Sequence, residues 1–237
     1  MRFDGRNYDE LRPLEIIKDY LKDVEGSCLI KLGNTHVICT ATVQSGAPKF
    51  AKDQGIGWVT AEYRMIPRAV PERLPRDKIN GRSIEIQRII GRSLRGACDL
   101  SLLNGYTIWI DCDVIQADGG TRVTSIIGGF VALYDAIQHM LSLGMIEKSP
   151  IKKFIGAVSV GIVEGKPMLD LTFEEDSKAD VDMNVVMTEN YEIIELQATG
   201  EGGTLKEEDL KLMLELAKKG INEIINKEKE VLWLKRS

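Results

Sequence analysis

The sequence predicts an α+β fold, with mixed sheets packed on helices, on three observations. Pairs of strand-like runs are joined by short turns. Long runs of helical spacing separate those pairs. Hairpins followed by a helix occur twice, which points to two α+β halves of related layout.

The first pair is Ser27–Leu32 and Thr35–Val43, joined by Gly33-Asn34, a two-residue turn signal. Gln44 to Asn80 follows as a long irregular stretch holding four prolines, Pro48, Pro67, Pro71 and Pro75. A loop of that length inside a domain is usually functional or disordered. Ser83 to Ala97 has helical spacing, with Ile86, Ile89, Ile90 and Leu94 on the buried side and Arg88, Arg92 and Arg95 on another face. Thr107 to Ile115 alternates as a strand, placing Asp111 and Asp113 on one face and Ile110, Cys112 and Val114 on the other. Thr121 to Leu143 is a very apolar helix ended by Gly144. In the last third, Phe154–Val163 and Met168–Phe173 flank Glu164-Gly165-Lys166-Pro167, and Asp182–Met187 and Glu192–Ala198 flank Glu189-Asn190. Thr204 to Asn226 is an amphipathic helix whose Thr204-x-x-Glu207 start reads as a capping box.

Composition narrows the function classes. With 43% hydrophobic residues and a net charge of -5, the chain is not disordered. Its longest nearly uncharged stretch, Val123 to Tyr134, is interrupted by Thr, Ser and two Gly and falls short of the roughly 20 apolar residues a membrane helix needs. No apolar run follows the N-terminal Met-Arg-Phe-Asp-Gly-Arg, so no signal peptide is expected. Cys28, Cys39, Cys98 and Cys112 lack C-x-x-C pairing and read as reduced, buried thiols. Only two histidines, His36 and His139, are present, which argues against a His-rich metal site or a His-based triad.

Charge is polarised along the chain. Arg64 to Arg95 carries nine Lys/Arg against three Asp/Glu, a local net of +6; Glu164 to Asp209 carries fourteen acids against three lysines, a net of -11. A polyanion suits the first segment, and divalent cations or plain solvent suit the second.

Three constellations carry chemistry. Asp118-Gly119-Gly120-Thr121-Arg122 lies between a strand and a helix. Two glycines let backbone N–H groups approach an oxyanion, the helix start adds unpaired donors, and Thr121 and Arg122 add a hydroxyl and a guanidinium fork. Such a turn suits phosphate, and it is neither Walker A nor the dinucleotide-binding fingerprint. Its plain alternative is a tight turn beside a solvated arginine. Glu174-Glu175-Asp176 with Asp180 and Asp182 could hold a hard cation, raise one another's proton affinity, or form an acidic surface loop; Asp176 falls in a loop, and Asp180 and Asp182 share a strand face. Arg68, Arg73, Arg76 and Arg82, continuing into the helical arginines, form a basic strip or a solvated loop. Together the three suit attack of phosphate on a phosphodiester.

Arg2-Phe3-Asp4-Gly5-Arg6, Leu11-Arg12-Pro13, Glu25-Gly26-Ser27, Thr40-Ala41-Thr42-Val43, Gly57 to Tyr63, Glu85 to Arg88, Gly91 to Arg95, Asp111 to Arg122 and Asp182 to Thr188 closely resemble the bacterial ribonuclease PH family, nearly end to end. The resemblance implies a ribonuclease PH-type domain with internal pseudo-duplication, here one domain over residues 1–237 with its halves meeting near 145–153. It implies a phosphorolytic 3′→5′ exoribonuclease that trims tRNA precursors after CCA, releases nucleoside diphosphates, runs in reverse from diphosphates, and acts also on rRNA. Its phosphate ligands map onto Arg82, Gly120, Thr121 and Arg122. Its catalytic aspartates, six residues apart, map onto Asp176 and Asp182, which would also hold a metal, Mg²⁺. Arg68, Arg73 and Arg76 would engage RNA, and the assembly would be a cytoplasmic homohexamer, a trimer of dimers. Three departures stand out: a shorter Pro67–Gly81 segment, Gln197-Ala198-Thr199-Gly200-Glu201-Gly202 where Q-G-T-A-E-G is usual, and Arg64 in place of a glycine. Two other readings are a non-catalytic ring subunit, which the phosphate arginines and the aspartate pair argue against, and a hydrolytic metal nuclease, which would need no added phosphate.

Overall fold

In the computed structural model, which describes residues 2–76 and 81–233, the apolar helix α3 (Thr121–Ser142) lies between two sheets. Nearly every position from Val123 to Ala136 is buried, Phe130 fully. A helix apolar on all sides can satisfy itself only between two layers. One layer is a five-stranded sheet in the order β1-β2-β3-β5-β4: Leu14–Lys18, Gly26–Leu32, Thr35–Ser45, Tyr106–Gln116 and Trp58–Met65. The other is a four-stranded antiparallel sheet in the order β7-β6-β8-β9: Lys166–Leu169, Ile155–Val163, Val181–Thr188 and Ile193–Gly200. Helix α2 (Gly81–Gly96) packs on β4, and the long helix α5 (Glu207–Trp233) packs on β6 and β7.

The first sheet is in register with the expected pattern. Leu32 pairs with Thr35 across the Gly33-Asn34 turn, where Gly33 has φ 54°. Ile110, Cys112 and Val114 of β5 face inward, Asp111 and Asp113 outward. Cys28, Cys39 and Cys112 fall on neighbouring strands as buried free thiols beneath Gly128, where a side chain would meet the Cys39 sulfur at 2.7 Å. Burial pushes the Cys39 thiol up, so Cys39 is a packing group rather than a nucleophile.

Several expectations are corrected. The stretch from Gln44 is not irregular throughout: it holds a short helix α1 (Lys49–Lys52) and strand β4, which runs parallel to β5 and buries Val59, Ala61 and Tyr63. The Met168–Phe173 strand stops at Leu169, and Thr172 caps a short helix α4 (Phe173–Asp176), its hydroxyl accepting from the Glu175 N–H while the Glu175 carboxylate accepts from the Thr172 N–H. Asp176 therefore ends a helix rather than sitting in a loop. The capping box expected at Thr204 does not form, because α5 begins later: the first N–H of its ladder runs from Leu210 to the Lys206 carbonyl. At its other end α5 continues past Asn226, and Val231 and Leu232 are buried. Trp233, the last described residue of the helix, is exposed.

Candidate active site

Strand β5 delivers the chain into Ala117-Asp118-Gly119-Gly120, and both glycines lie in the left-handed region, at φ 73° and 67°. A Cβ on Gly119 would stand 2.6 Å from the Leu171 carbonyl oxygen, so the turn requires glycine for space as well as conformation. Gly120 is the N-cap of α3 and offers no side-chain cap. The first N–H groups of a long helix are therefore left to bind something else. Thr121 accepts a hydrogen bond from the Tyr63 hydroxyl at 2.9 Å. Burial raises the Tyr63 phenol, which stays a donor. Arg122, half-buried, donates through Nη1 to Gln197 Oε1 at 2.6 Å, and its Nε is buried with no hydrogen-bond partner among the described residues.

The carboxylates come from the other sheet. Asp182 is the second residue of β8, and Asp176 ends α4. Burial, then the charge of Asp176, push the Asp182 carboxyl up to about 6, against the pull of Arg122 and a 3.2 Å hydrogen bond from Asn184. Its Oδ1 is buried and unpartnered among the described residues. Asp176 is also raised, by burial foremost and by Glu201, with Arg82 and Arg122 opposing. Arg82, exposed on the second residue of α2, is thus close enough for its charge to bear on both Asp176 and Tyr63. The site presents a guanidinium nitrogen and a carboxylate oxygen, both buried and both without a partner among the described residues. A group bearing a phosphate would pair with the former; a proton or a hard cation would satisfy the latter.

The remaining expected residues divide. Of the five acids read as one cluster, Glu174 pairs with Lys178 at the surface and Glu175 is buried against Arg2. Asp180 is exposed; its carbonyl accepts from the N–H groups of Glu201 and Gly202 and so folds that loop toward Asp176 and Asp182. No group of three or more acids, cysteines or histidines among the described residues has metal-binding geometry, so a cation there would rest on two carboxylates with water and substrate completing its shell. Arg68, Arg73 and Arg76 are exposed, and the Ala117 N–H donates to the Ala69 carbonyl, which brings the Arg68 loop beside the glycine turn. The basic strip does not continue along α2. Arg92 forms a fork with Glu195 at 2.8 and 3.1 Å, and Arg95 turns inward to the Val59 carbonyl and lies 4.3 Å over the Trp58 ring; Arg88 alone of the three is exposed with no such tie among the described residues.

Sequence reasoning missed Tyr63, Gln197 and Glu201 as parts of the site. All three had a signal: Gln197 and Glu201 lie in a short polar stretch that departs little from the family pattern, and Tyr63 ends the family-like Gly57 to Tyr63 run, whose strand went unrecognised.

Two family models match the chain: the 3′ exoribonuclease family, domain 1, over residues 10–137, and the same family's domain 2, over residues 153–220. The chain is 54% identical over 237 residues to the ribonuclease PH of Bacillus subtilis (strain 168), covering 98% of this chain and 97% of that protein. It is 49% identical over 236 residues to the ribonuclease PH of Corynebacterium kroppenstedtii, covering 98% and 93%. The fold matches rice (Oryza sativa) Rrp46 with a TM-score of 0.81 at 20% identity, over 98% of this chain and 100% of that one. It matches a chain of the Archaeoglobus fulgidus exosome with RNA bound to the active site with a TM-score of 0.79 at 26% identity, over 97% and 91%. Matches of this extent and identity, falling on a chain whose glycine turn and aspartate pair have the geometry described, make it a member of the ribonuclease PH family of 3′ exoribonucleases.

Proposed function

We propose that this chain is a phosphorolytic 3′→5′ exoribonuclease, a phosphate-dependent tRNA nucleotidyltransferase that trims tRNA precursors to their CCA ends and acts also on rRNA. The observation that carries this reading is the meeting of the uncapped glycine turn and half-satisfied Arg122 with the proton-binding Asp182. Inorganic phosphate is held by Arg82, the N–H groups at Gly120 and Thr121, the Thr121 hydroxyl and Arg122. One of its oxygens attacks the last phosphorus of the RNA. The bond from that phosphorus to the 3′-oxygen breaks, a nucleoside diphosphate leaves, and the shortened RNA takes a proton on its new 3′-hydroxyl. Asp182, whose carboxyl holds a proton up to about pH 6, is placed to manage that proton, with Asp176 beside it. Run backwards, the same groups add a nucleotide from a diphosphate.

The donor set is hard oxygen and carries an orphaned Oδ1, so it fits Mg²⁺; Asp176 and Asp182 would hold it. When bound, the cation supplies charge neutralisation at the scissile phosphate. Arg68, Arg73 and Arg76 track the RNA backbone leading into the site. Residues 1–237 act as one domain of two related α+β halves meeting near 145–153, and copies assemble as a hexamer, a trimer of dimers, in the cytoplasm. No described helix is long and apolar enough to cross a membrane.

The test is incubation of a short RNA with and without inorganic phosphate. Nucleoside diphosphates formed only with phosphate support the reading. Monophosphates formed without it establish hydrolysis instead, and no product establishes a binding subunit. Light scattering at micromolar concentration is expected to give a mass several times the 26.4 kDa chain, and a monomer would refute the ring.

A further inference from the structure

The N-terminal motif Arg2-Phe3-Asp4-Gly5-Arg6 and the Arg12 that follows it have no part in the chemistry above, yet Arg2 and Arg12 are among the most buried charges in the molecule. Arg12 reaches two places at once. Its backbone N–H, Nε and Nη2 bind the Asp170 carboxylate at 2.8, 3.0 and 2.7 Å, and its Nη1 donates to the Asp118 carbonyl of the glycine turn, with Nη2 3.4 Å from the Gly119 carbonyl. Arg2 does the same for α4. Its fork takes both oxygens of Glu175 at 2.7 and 2.5 Å, and its nitrogens also donate to the Leu169 and Asp170 carbonyls at 2.6 and 2.7 Å. Between them, Arg6 Nη1 lies 3.2 and 3.3 Å from the carbonyl and carboxylate of Asp170. Asp170 itself is only 1% exposed and sits at φ 55°, a left-handed conformation a non-glycine residue holds only when its surroundings enforce it.

We propose that residues Arg2 to Arg12 are a positioning clamp that holds the two walls of the active site against each other. Arg12, through Asp170, fixes the phosphate turn; Arg2, through Glu175, fixes α4 and with it Asp176. The walls touch directly: the Phe173 N–H donates to Asp118 Oδ1 at 3.2 Å, and Gly119 has no room for a side chain against Leu171–Phe173. Glu175 is held from two sides, by the Arg2 fork on both of its oxygens and by the Thr172 N–H and hydroxyl on its Oε2. The clamp rests on the phosphorolytic reading of the site, since it assigns the turn to phosphate and α4 to the reacting centre.

Lysine in place of either arginine keeps the charge beside its carboxylate but loses the planar fork, and a single ammonium cannot span the same partners. A displacement of an ångström in a positioned group costs on the order of 10- to 100-fold. Arg12→Lys is expected to raise the KM for phosphate by that factor with kcat within about threefold, and Arg2→Lys to lower kcat with the KM for phosphate within about threefold. Hydrogen exchange gives a readout independent of turnover: the amides of residues 119–121 should exchange faster in Arg12→Lys alone, and those of 173–176 faster in Arg2→Lys alone. If either lysine variant fails to fold, the neutral pairs Arg12→Gln with Asp170→Asn, or Arg2→Gln with Glu175→Gln, remove the tie without leaving either of its partners charged, Arg6 keeping its ion pair with Asp4, and are read the same way. Equal effects of both variants on kcat and KM, no effect, or uniform loosening by exchange overturns the clamp. Wild-type turnover that ignores phosphate overturns the functional reading instead, and the exchange pattern still decides the clamp.

Discussion

The two sheets bring opposite charges to one site. The five-stranded half supplies donors and cations: the end of β5, the start of α3 with Arg122, and Arg82 at the start of α2. The four-stranded half supplies Asp176, Asp182 and Glu201. Each wall is ill at ease alone. Burial raises both aspartates, and burial leaves Arg122 Nε without a partner among the described residues. On the proposed reading each wall is relieved in turn: phosphate would bring oxygens to the guanidinium, and a proton or a cation would settle the carboxylate. A division of this kind lets each wall be broken separately.

The largest effect is expected on the acidic wall. Asp182→Asn keeps the shape and removes both the charge and the proton, so it should lower kcat by a factor on the order of 10² or more, the share of one acid/base group. RNA binding should stay nearly unchanged, because Asp182 lies on β8 while the exposed arginines proposed to hold the RNA backbone lie on the loop that follows β4. Steady-state phosphorolysis together with a filter-binding titration decides it; a near-normal kcat would remove Asp182 from the chemistry.

The basic wall should answer in the other parameter. On the proposed reading, Arg122→Ala deletes a charge-assisted hydrogen bond to phosphate worth about 1.5–3 kcal/mol, so the KM for phosphate should rise about 10- to 100-fold. The fold should survive, since the 2.6 Å bond that Arg122 gives to Gln197 joins two side chains and no backbone group depends on it. An unchanged KM for phosphate would falsify the assignment of that wall.

How far this contrast could be read beforehand depended on sequence distance. The glycine turn was legible because a period of two gives way to a helical period across Gly119-Gly120, a switch that needs no tertiary knowledge. The buried stripe of α2 and the inward faces of β2, β3 and β5 were legible for the same reason. Strand β4 was not: Ala61 is small, Glu62 and Arg64 face out, and its partner β5 joins it only by a parallel crossover through α2. Tyr63 went with it, for its partner Thr121 lies 58 residues away. The Arg12 tie to Asp170 spans 158 residues, and no local pattern marks either end as buried. Of the cluster from Glu174 to Asp182, composition could say only that it was acidic; which carboxylates face the site was decided by the Thr172 cap and by Arg2.

A smaller effect is expected outside both walls. Arg73 and Arg76 are exposed and their charges face solvent, so they should act on long RNA through its backbone. Every arginine–phosphate pair removed from a single-stranded complex lowers the slope of log affinity against log salt by about 0.7. Arg73→Glu with Arg76→Glu should flatten that slope by about 1.4 and weaken RNA binding, with the KM for phosphate intact. Binding that ignores salt in the wild type would sink the electrostatic account.

The smallest effect concerns stability rather than turnover, and it lies in α5, away from either wall. Glu228 is fully buried, neither of its oxygens has a hydrogen-bond partner among the described residues, and Lys229 is the cation whose charge offsets it. Burial first, then Cys28, push its carboxyl well above the usual range. The native state therefore binds this proton more tightly than the unfolded chain does. Its contribution to stability is fully present below the unfolded value, near 4.5, and is lost as pH rises through the folded value. Glu228→Gln cannot ionise, so its stability relative to wild type should grow with rising pH above 4.5. At the alkaline end the gain should reach about 1–3 kcal/mol, the usual cost of an unsatisfied buried polar group. Urea unfolding from pH 5 to 9 measures it. Parallel curves for the two proteins would mean that Glu228 is paired and charged in the folded state, and a gain that shrank with pH would reverse the sign of the argument.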